Sequence, residues 1–147
     1  MKLSTKGRYG LRILIDVARH AGAAPRLAKE IAASQGISEK YISRLVIALR
    51  RAGLVVSVRG AKGGYRRGRL PARITLLDVV EAMEGSVSLV GCVQKPGSCR
   101  KTASCPAHRA WAVVNAKIRV AFAETTLADI LELRAASGAG GSIEFCI

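Results

Sequence analysis

Gly36-Ile37-Ser38-Glu39-Lys40-Tyr41-Ile42-Ser43-Arg44-Leu45-Val46-Ile47-Ala48-Leu49-Arg50-Arg51-Ala52-Gly53 decides how this chain folds. Ile42, Leu45, Val46 and Leu49 recur at helical spacing, so the segment predicts a helix over 39–52 with these four turned inward. Ser38 is placed to cap its start and Gly53 to stop it. Lys40, Tyr41, Ser43 and Arg44 then fall on or near the opposite face. Upstream, Gln35-Gly36-Ile37 reads as a tight turn, after a short helix opened by Pro25 and buried through Leu27, Ile31 and Ala32. Two helices joined by a short glycine turn, the second starting with Ser and studded with basic residues, read as helix-turn-helix. Downstream, Leu54-Val55-Val56-Ser57-Val58-Arg59 alternates as a strand. Gly60-Ala61-Lys62-Gly63-Gly64 is a loop and Tyr65-Arg66-Arg67-Gly68-Arg69 the return strand. A basic hairpin directly after a recognition helix makes this a winged helix.

Working outward, Tyr9, Leu11, Leu14, Ile15, Val17 and Ala18 predict a first helix, with Ser4 and Thr5 as caps and an end near Gly22. Thr75 and Asp78 resemble a capping box for a helix over Leu76–Glu84. Residues 85–103 read as irregular. Pro106 suits the first turn of a long helix reaching about Glu124, with Trp111, Val114, Ile118, Ala121 and Phe122 along one face. An apolar stripe on a long helix beyond the core of a small domain predicts a dimer element. Thr126 caps a last short helix over 127–134. The Ala/Gly/Ser stretch 135–142 reads as flexible, and 143–147 as a strand folding back. The expected fold class is therefore mainly α with a small β-hairpin wing: a winged helix-turn-helix plus a long dimerisation helix.

The formal net charge of the 147 residues is +14. Residues 1–73 hold 17 Lys/Arg against 3 Asp/Glu, whereas residues 74–147 hold 7 of each, so the whole excess lies in the first half. A concentrated cationic field attracts polyanions, and nucleic acid is the commonest one. An anionic membrane surface is the rival, against which the basic half reads as globular rather than as a tail. Inserted in the major groove, the third helix presents Ser38, Lys40, Tyr41, Ser43 and Arg44. Arg44 is shaped for bidentate reading of guanine, while Lys and Ser position the helix on phosphates. Arg59 and Lys62 of the wing reach toward a minor groove, and Lys2 and Lys6 toward phosphates. Residues 1–10 lack the apolar run of a secretory signal, and no apolar stretch approaches a membrane span, which predicts a cytoplasmic protein without membrane attachment.

Cys92, Cys99, Cys105 and His108 follow the spacing Cys-x6-Cys-x5-Cys-x2-His, flanked by Gly91, Pro96, Gly97 and Pro106. Thiolates select iron–sulfur clusters, zinc or copper(I). In a reducing compartment clustered cysteines favour metal or redox chemistry over structural disulfides. Three thiolates and one imidazole also form an ordinary structural zinc set, although the wide, unequal spacing suits zinc less than paired Cys-x2-Cys knuckles do. Direct thiol sensing through a Cys99–Cys105 disulfide is another alternative. His108 as an exposed first-turn residue is a third. Cys146 reads as an unligated thiol.

Leu3-Ser4-Thr5-Lys6-Gly7-Arg8-Tyr9-Gly10, Gly36-Ile37-Ser38 with Tyr41, Gly53-Leu54-Val55, and Val58-Arg59-Gly60 with Gly63-Gly64-Tyr65 resemble the Rrf-two (Rrf2) family of bacterial winged-helix regulators. The cysteines and histidine are similar to the cluster loop of its iron–sulfur-cluster regulator branch (IscR). Thr125-Thr126-Leu127-Ala128-Asp129 resembles the close of the family's long dimerisation helix. The chain also resembles the cysteine-metabolism repressor branch (CymR), including its end Glu144-Phe145-Cys146-Ile147, and that branch lacks the cluster cysteines. The resemblance implies a homodimer on a palindromic or pseudo-palindromic operator, with Cys92, Cys99 and Cys105 as cluster ligands. Some relatives add an acidic ligand from the partner's first helix. Here that region offers Arg8 and Arg12, which leaves His108 as the fourth ligand. Three thiolates and one imidazole suit a 2Fe–2S cluster, with 4Fe–4S and zinc as alternatives.

The expected organisation is a winged-helix DNA-binding domain (1–84), a cluster-binding loop (85–105), dimerisation helices (106–134) and a flexible C-terminal tail (135–147). The expected function is a transcription regulator, a repressor by resemblance, whose operator binding is controlled by the cluster through iron, nitric oxide or redox state. The alternatives are a cysteine-metabolism-type repressor and a zinc-containing DNA binder without sensing. No phosphate-binding loop, dinucleotide fingerprint or nucleophile motif is present, so the chain is not read as an enzyme. Affinity for duplex DNA is expected to fall steeply with salt. Replacing one phosphate-contacting lysine, such as Lys6, should lower the log–log salt slope by about one unit. Anisotropy titrations across a salt series check this, and a flat dependence contradicts the polyanion reading.

Overall fold

The computed structural model describes residues 3–22, 24–60, 62–95 and 97–137. Lys2, Cys146, the returning strand and all of the tail beyond Ser137 lie outside the described residues. Helix α1 (Thr5–Arg19) begins where Ser4 Oγ accepts from the Lys6 amide at 3.1 Å. Its first turn is also closed from a distance. Glu84, the last residue of α4 (Leu76–Glu84), accepts through Oε1 from the Gly7 amide at 2.9 Å and the Ser4 amide at 3.2 Å, and from the Ser4 hydroxyl. A carboxylate there meets both the orphan N–H groups and the positive end of the helix dipole. Gly10 lets α1 lie close on α4, since a Cβ there would stand 2.6 Å from Met83 Cγ.

Helices α2 (Ala28–Gln35) and α3 (Glu39–Arg51) form the helix-turn-helix, and Ser38 Oγ accepts from the Tyr41 amide at 3.2 Å as the expected cap. Ile42, Leu45, Val46 and Leu49 are all buried, as predicted. They meet Ile31, Ile74, Val79, Leu127 and, from α1, Leu14, Val17 and Ile13, which the sequence reading left out of the core. Each such side chain, fully buried, contributes about 1.5–3 kcal/mol.

Pro25 does not open α2. Arg26 is extended and pairs with Tyr65, donating to the Tyr65 carbonyl at 3.0 Å and accepting from its amide at 2.8 Å. The helix starts two residues later, where Glu30 accepts from the Leu27 amide at 2.9 Å. Tyr65 belongs to β2 (Gly64–Arg67), antiparallel to β1 (Val55–Val58) with Val56 opposite Arg66. These strands are shorter than the sequence suggested. Gly64, at φ +143°, is needed because a Cβ would lie 2.6 Å from the Arg26 carbonyl oxygen.

A polar node inside α1 joins these parts. Asp16 is 7% exposed. It accepts from Arg26 Nε at 2.9 Å, from Gln35 Nε2 at 3.3 Å and from the Ser34 hydroxyl. Burial pushes its carboxyl upward. The hydrogen bonds from Arg26 and Ser34, the Arg26 charge and the Gln35 bond outweigh this and hold it below the usual aspartate value.

The second half departs from an irregular reading of 85–103. A short helix α5 (Gly91–Gln94) lies within it, and a 3-10 turn (Thr102–Ser104) begins at the end of that stretch. Helix α6 (Pro106–Glu124) matches its predicted bounds, but among its described residues only Asn115 is buried. Asn115 accepts from the Leu89 amide at 3.0 Å and donates to the Val87 carbonyl at 3.3 Å. Arg119 pairs with Glu81 of α4. The chain then returns to the core, where Leu76 donates to the Thr125 carbonyl at 2.8 Å and Leu127 to the Ile74 carbonyl at 2.7 Å. Helix α7 (Leu127–Ser137) runs three residues past the predicted end, into the stretch read as tail.

Asp16→Asn is expected to lose about 2 kcal/mol at neutral pH, because charge-assisted hydrogen bonds from the part-buried Arg26 and from Ser34 and Gln35 lose their anionic acceptor. A carboxyl depressed in the folded state contributes fully above the unfolded value of about 3.9. That contribution disappears as the pH falls through the native value. Urea unfolding should therefore show a constant gap between wild type and variant above about pH 5 that closes in stronger acid.

Candidate functional site

The basic half builds a surface from α3, the wing and the first turn of α1. Lys40, Ser43 and Arg44 are exposed on α3, Arg59 and Lys62 on the wing, and Lys6 at the start of α1. Ser38 is exposed too, with its oxygen engaged as the cap of α3. Tyr41 differs from the others. It is half-buried, edge-to-face with Tyr9 at 6.1 Å between ring centroids, and Arg12 stacks over Tyr9 at 4.9 Å. Tyr41 thus helps fix α3 on α1 as well as bordering the surface.

The acids of this half barely dilute the field. Asp16 is buried, Glu30 lies 3.4 Å from Arg26, and Glu39 sits in the first turn of α3, where a carboxylate suits the helix dipole. Glu39 stays exposed beside Lys40, and the rest of the outward charge on this face is cationic, which suits a polyanion. Sequence reasoning missed the residues that hold this surface in shape: Asp16, Arg26, Gln35 and Arg12, whose Nε donates to Gln35 Oε1 at 2.8 Å. A visible signal existed, since Asp16 interrupts the apolar run Ile13-Leu14-Ile15 and Val17-Ala18.

The cysteine segment is arranged differently from a closed metal site. Cys92 is half-buried in α5, Cys99 is exposed, and Cys105 is the half-buried N-cap of α6. All three are free thiols. Among the described residues no three His, Cys, Asp or Glu side chains gather where one ion could be held. Cys92 lies in the single turn of α5, closed by the Lys95 amide on the Gly91 carbonyl at 2.9 Å; the Cys99 carbonyl accepts from the Thr102 hydroxyl at 2.7 Å; and the Cys105 sulfur caps α6.

Cys105 and His108 do converge. Cys105 Sγ accepts from the His108 amide at 3.4 Å, so thiol and imidazole share the first turn of α6. His108 Nδ1 is buried and has no hydrogen-bond partner among the described residues. A buried, unsatisfied ring nitrogen is costly unless something binds it. The donor chemistry, three free thiols and this nitrogen, fits a soft metal or an iron–sulfur cluster. Arg8 and Arg12 are engaged with Thr5 and Gln35. Among the described residues no helix is long and apolar enough to cross a membrane.

Comparison with known proteins bears on the fold and the family. Residues 3–133 match the family described as "Rrf2: Iron-dependent Transcriptional regulator". The chain is 38% identical to the HTH-type transcriptional regulator CymR of Bacillus subtilis (strain 168), over 88% of this chain and 89% of that protein. It is 42% identical to the HTH-type transcriptional regulator IscR of Aliivibrio salmonicida, over 80% of this chain and 70% of that protein. The solved structure of CymR, the global cysteine regulator of B. subtilis, superposes with a TM-score of 0.76 at 38% identity, covering 90% of this chain and 98% of that one. T. potens IscR superposes with a TM-score of 0.70 at 37% identity, covering 99% and 95%. With a winged helix, a cationic reading face and a match along nearly its whole length, the chain belongs to the Rrf2 family of DNA-binding transcription regulators.

Proposed function

We propose that this regulator is a homodimer that grips a palindromic or pseudo-palindromic operator through α3 and the wing. The grip depends on an iron–sulfur site made by Cys92, Cys99, Cys105 and His108. The observation that carries the reading is the open Nδ1 of His108, buried one helical turn from the Cys105 thiol. When bound, a 2Fe–2S cluster supplies a redox-active centre whose potential an imidazole ligand raises.

The chain's own contacts offer a route from that site to the DNA-facing half. Cys105 and His108 begin α6, Asn115 holds the segment leading to Cys92, and Arg119 holds α4. Glu84 at the end of α4 holds the first turn of α1, which carries the helix-turn-helix. Dimerisation is supported by the uncovered apolar surface of α6, where Trp111 is 47% and Val114 42% exposed. Two copies related by a two-fold axis present two copies of α3 to successive major grooves. Repression follows where the operator overlaps a promoter, and a reader of duplex DNA works in the cytoplasm of a bacterium.

A second reading is favoured by the separation of the thiols: a cysteine-metabolism-type repressor, or a zinc-containing binder, without cluster sensing. Absorption spectra with iron and sulfide content on anaerobically purified protein separate the readings. Wild type should be coloured and contain both elements, Cys92→Ala should lose them, and His108→Ala should lose them or shift the spectrum. Holo and apo protein should then differ at least several-fold in operator affinity. One zinc per colourless chain, or no metal at all, selects the second reading. Equal affinity of holo and apo protein ends the sensing claim.

A further inference from the structure

Ile47 stands where a DNA-facing helix has no structural need of an apolar side chain. The core face of α3 is formed by Ile42, Leu45, Val46 and Leu49, each at most 3% exposed. At about 100° per residue, Ile47 projects away from the centre of that face. Its neighbours on the outward ridge are Lys40, Ser43, Arg44 and Arg51, all exposed. Ile47 itself is 48% exposed. Helical side chains lean toward the N-terminus, which carries Ile47 toward Ser43 and Arg44. With Val56 it also lines a shallow groove of about 440 Å³ flanked by Arg50 and Arg51.

A single exposed isoleucine is ordinary. One ringed by cations faces a polyanion, and the occupant must satisfy both characters. The major groove of duplex DNA does so, because phosphates border it and the thymine methyl is its one apolar group. We infer that Ile47 reads a thymine in the operator through its 5-methyl group, while Arg50 and Arg51 meet the bordering phosphates. Residues three apart on a helix are about 5–6 Å apart. The thymine therefore lies within about two base pairs of any base that Arg44 contacts. The inference rests on the assignment of α3 as the reading helix.

The test uses duplexes enriched from a random-sequence library by the full-length protein, with each thymine replaced by deoxyuridine in turn. In wild type, one replacement per half-site should weaken binding roughly three- to five-fold, the worth of one buried methyl. Ile47→Ala should bind the unmodified duplex more weakly by a similar factor and be indifferent to that replacement. Its thermal unfolding should match wild type, because the side chain is exposed. If no replacement affects wild type, or if Ile47→Ala retains the same thymine dependence, the inference is overturned. Arg44→Ala separates the two levels. Lost sequence preference in Arg44→Ala beside unchanged behaviour of Ile47→Ala sinks the Ile47 contact alone. Unchanged preference in both removes α3 as the reading element, and the Ile47 contact with it.

Discussion

A carboxylate buried inside α1 fixes where the wing and the helix-turn-helix stand. Asp16 needs partners because an ion removed from water is tolerated only when paired and hydrogen-bonded. The partners come from the segments that must be aligned. Arg26 arrives from the strand-like segment bonded to the wing, and Ser34 and Gln35 from the end of α2, one turn before the recognition helix. Wing and helix-turn-helix are therefore referred to one point on α1. A small change in either would leave a donor or a charge unsatisfied, which a purely apolar contact would not penalise so sharply. The spacing between wing and helix-turn-helix is thereby fixed.

The second frame is α4, which lies between the reading half and the long helix. Its outer end holds α1 through Glu84, its middle holds α6 through Glu81 and Arg119, and its start is bonded to the turn between α6 and α7. Gly10 is part of the same joint, since a larger residue would force Met83 away. Gly7 and Gly10 thus have a packing reason: they admit the carboxylate of Glu84 and the thioether of Met83 to the surface of α1.

Much of this was legible before any coordinates. Helices α3, α4 and α6 could be bounded closely because each has a polar cap or proline at its start and an apolar period behind it. Where tertiary contacts override local preference, the reading missed. Pro25-Arg26 has the look of a helix start, yet Arg26 is drawn into pairing with Tyr65. Helix α5 escaped notice because four residues begun by Gly91 show no period and no side-chain cap. Asp16 escaped because apolar periodicity says nothing of a charge lying within it. The cysteine spacing advertised a soft-ligand site, but spacing does not report that Cys92, Cys99 and Cys105 stand on three separate local turns and do not gather round one point.

The start of α6 is where these two frames meet the cysteines. Cysteine is a weak substitute for the Ser, Thr, Asp or Asn that usually caps a helix, because sulfur is a poor acceptor. The Cys105 sulfur accepts from the His108 amide at 3.4 Å, where oxygen acceptors cap α1 and α3. Farther along, α6 is anchored by the Asn115 side chain, the Arg119 ion pair and the backbone bonds around Thr125. The helix is thus held by side chains in its middle and by backbone bonds at its end, while its first turn is capped by the Cys105 sulfur. An interaction that engaged Cys105 Sγ and His108 Nδ1 together would add a constraint to that first turn. Its effect would pass down a helix already fastened to α4, and from there to the first turn of α1.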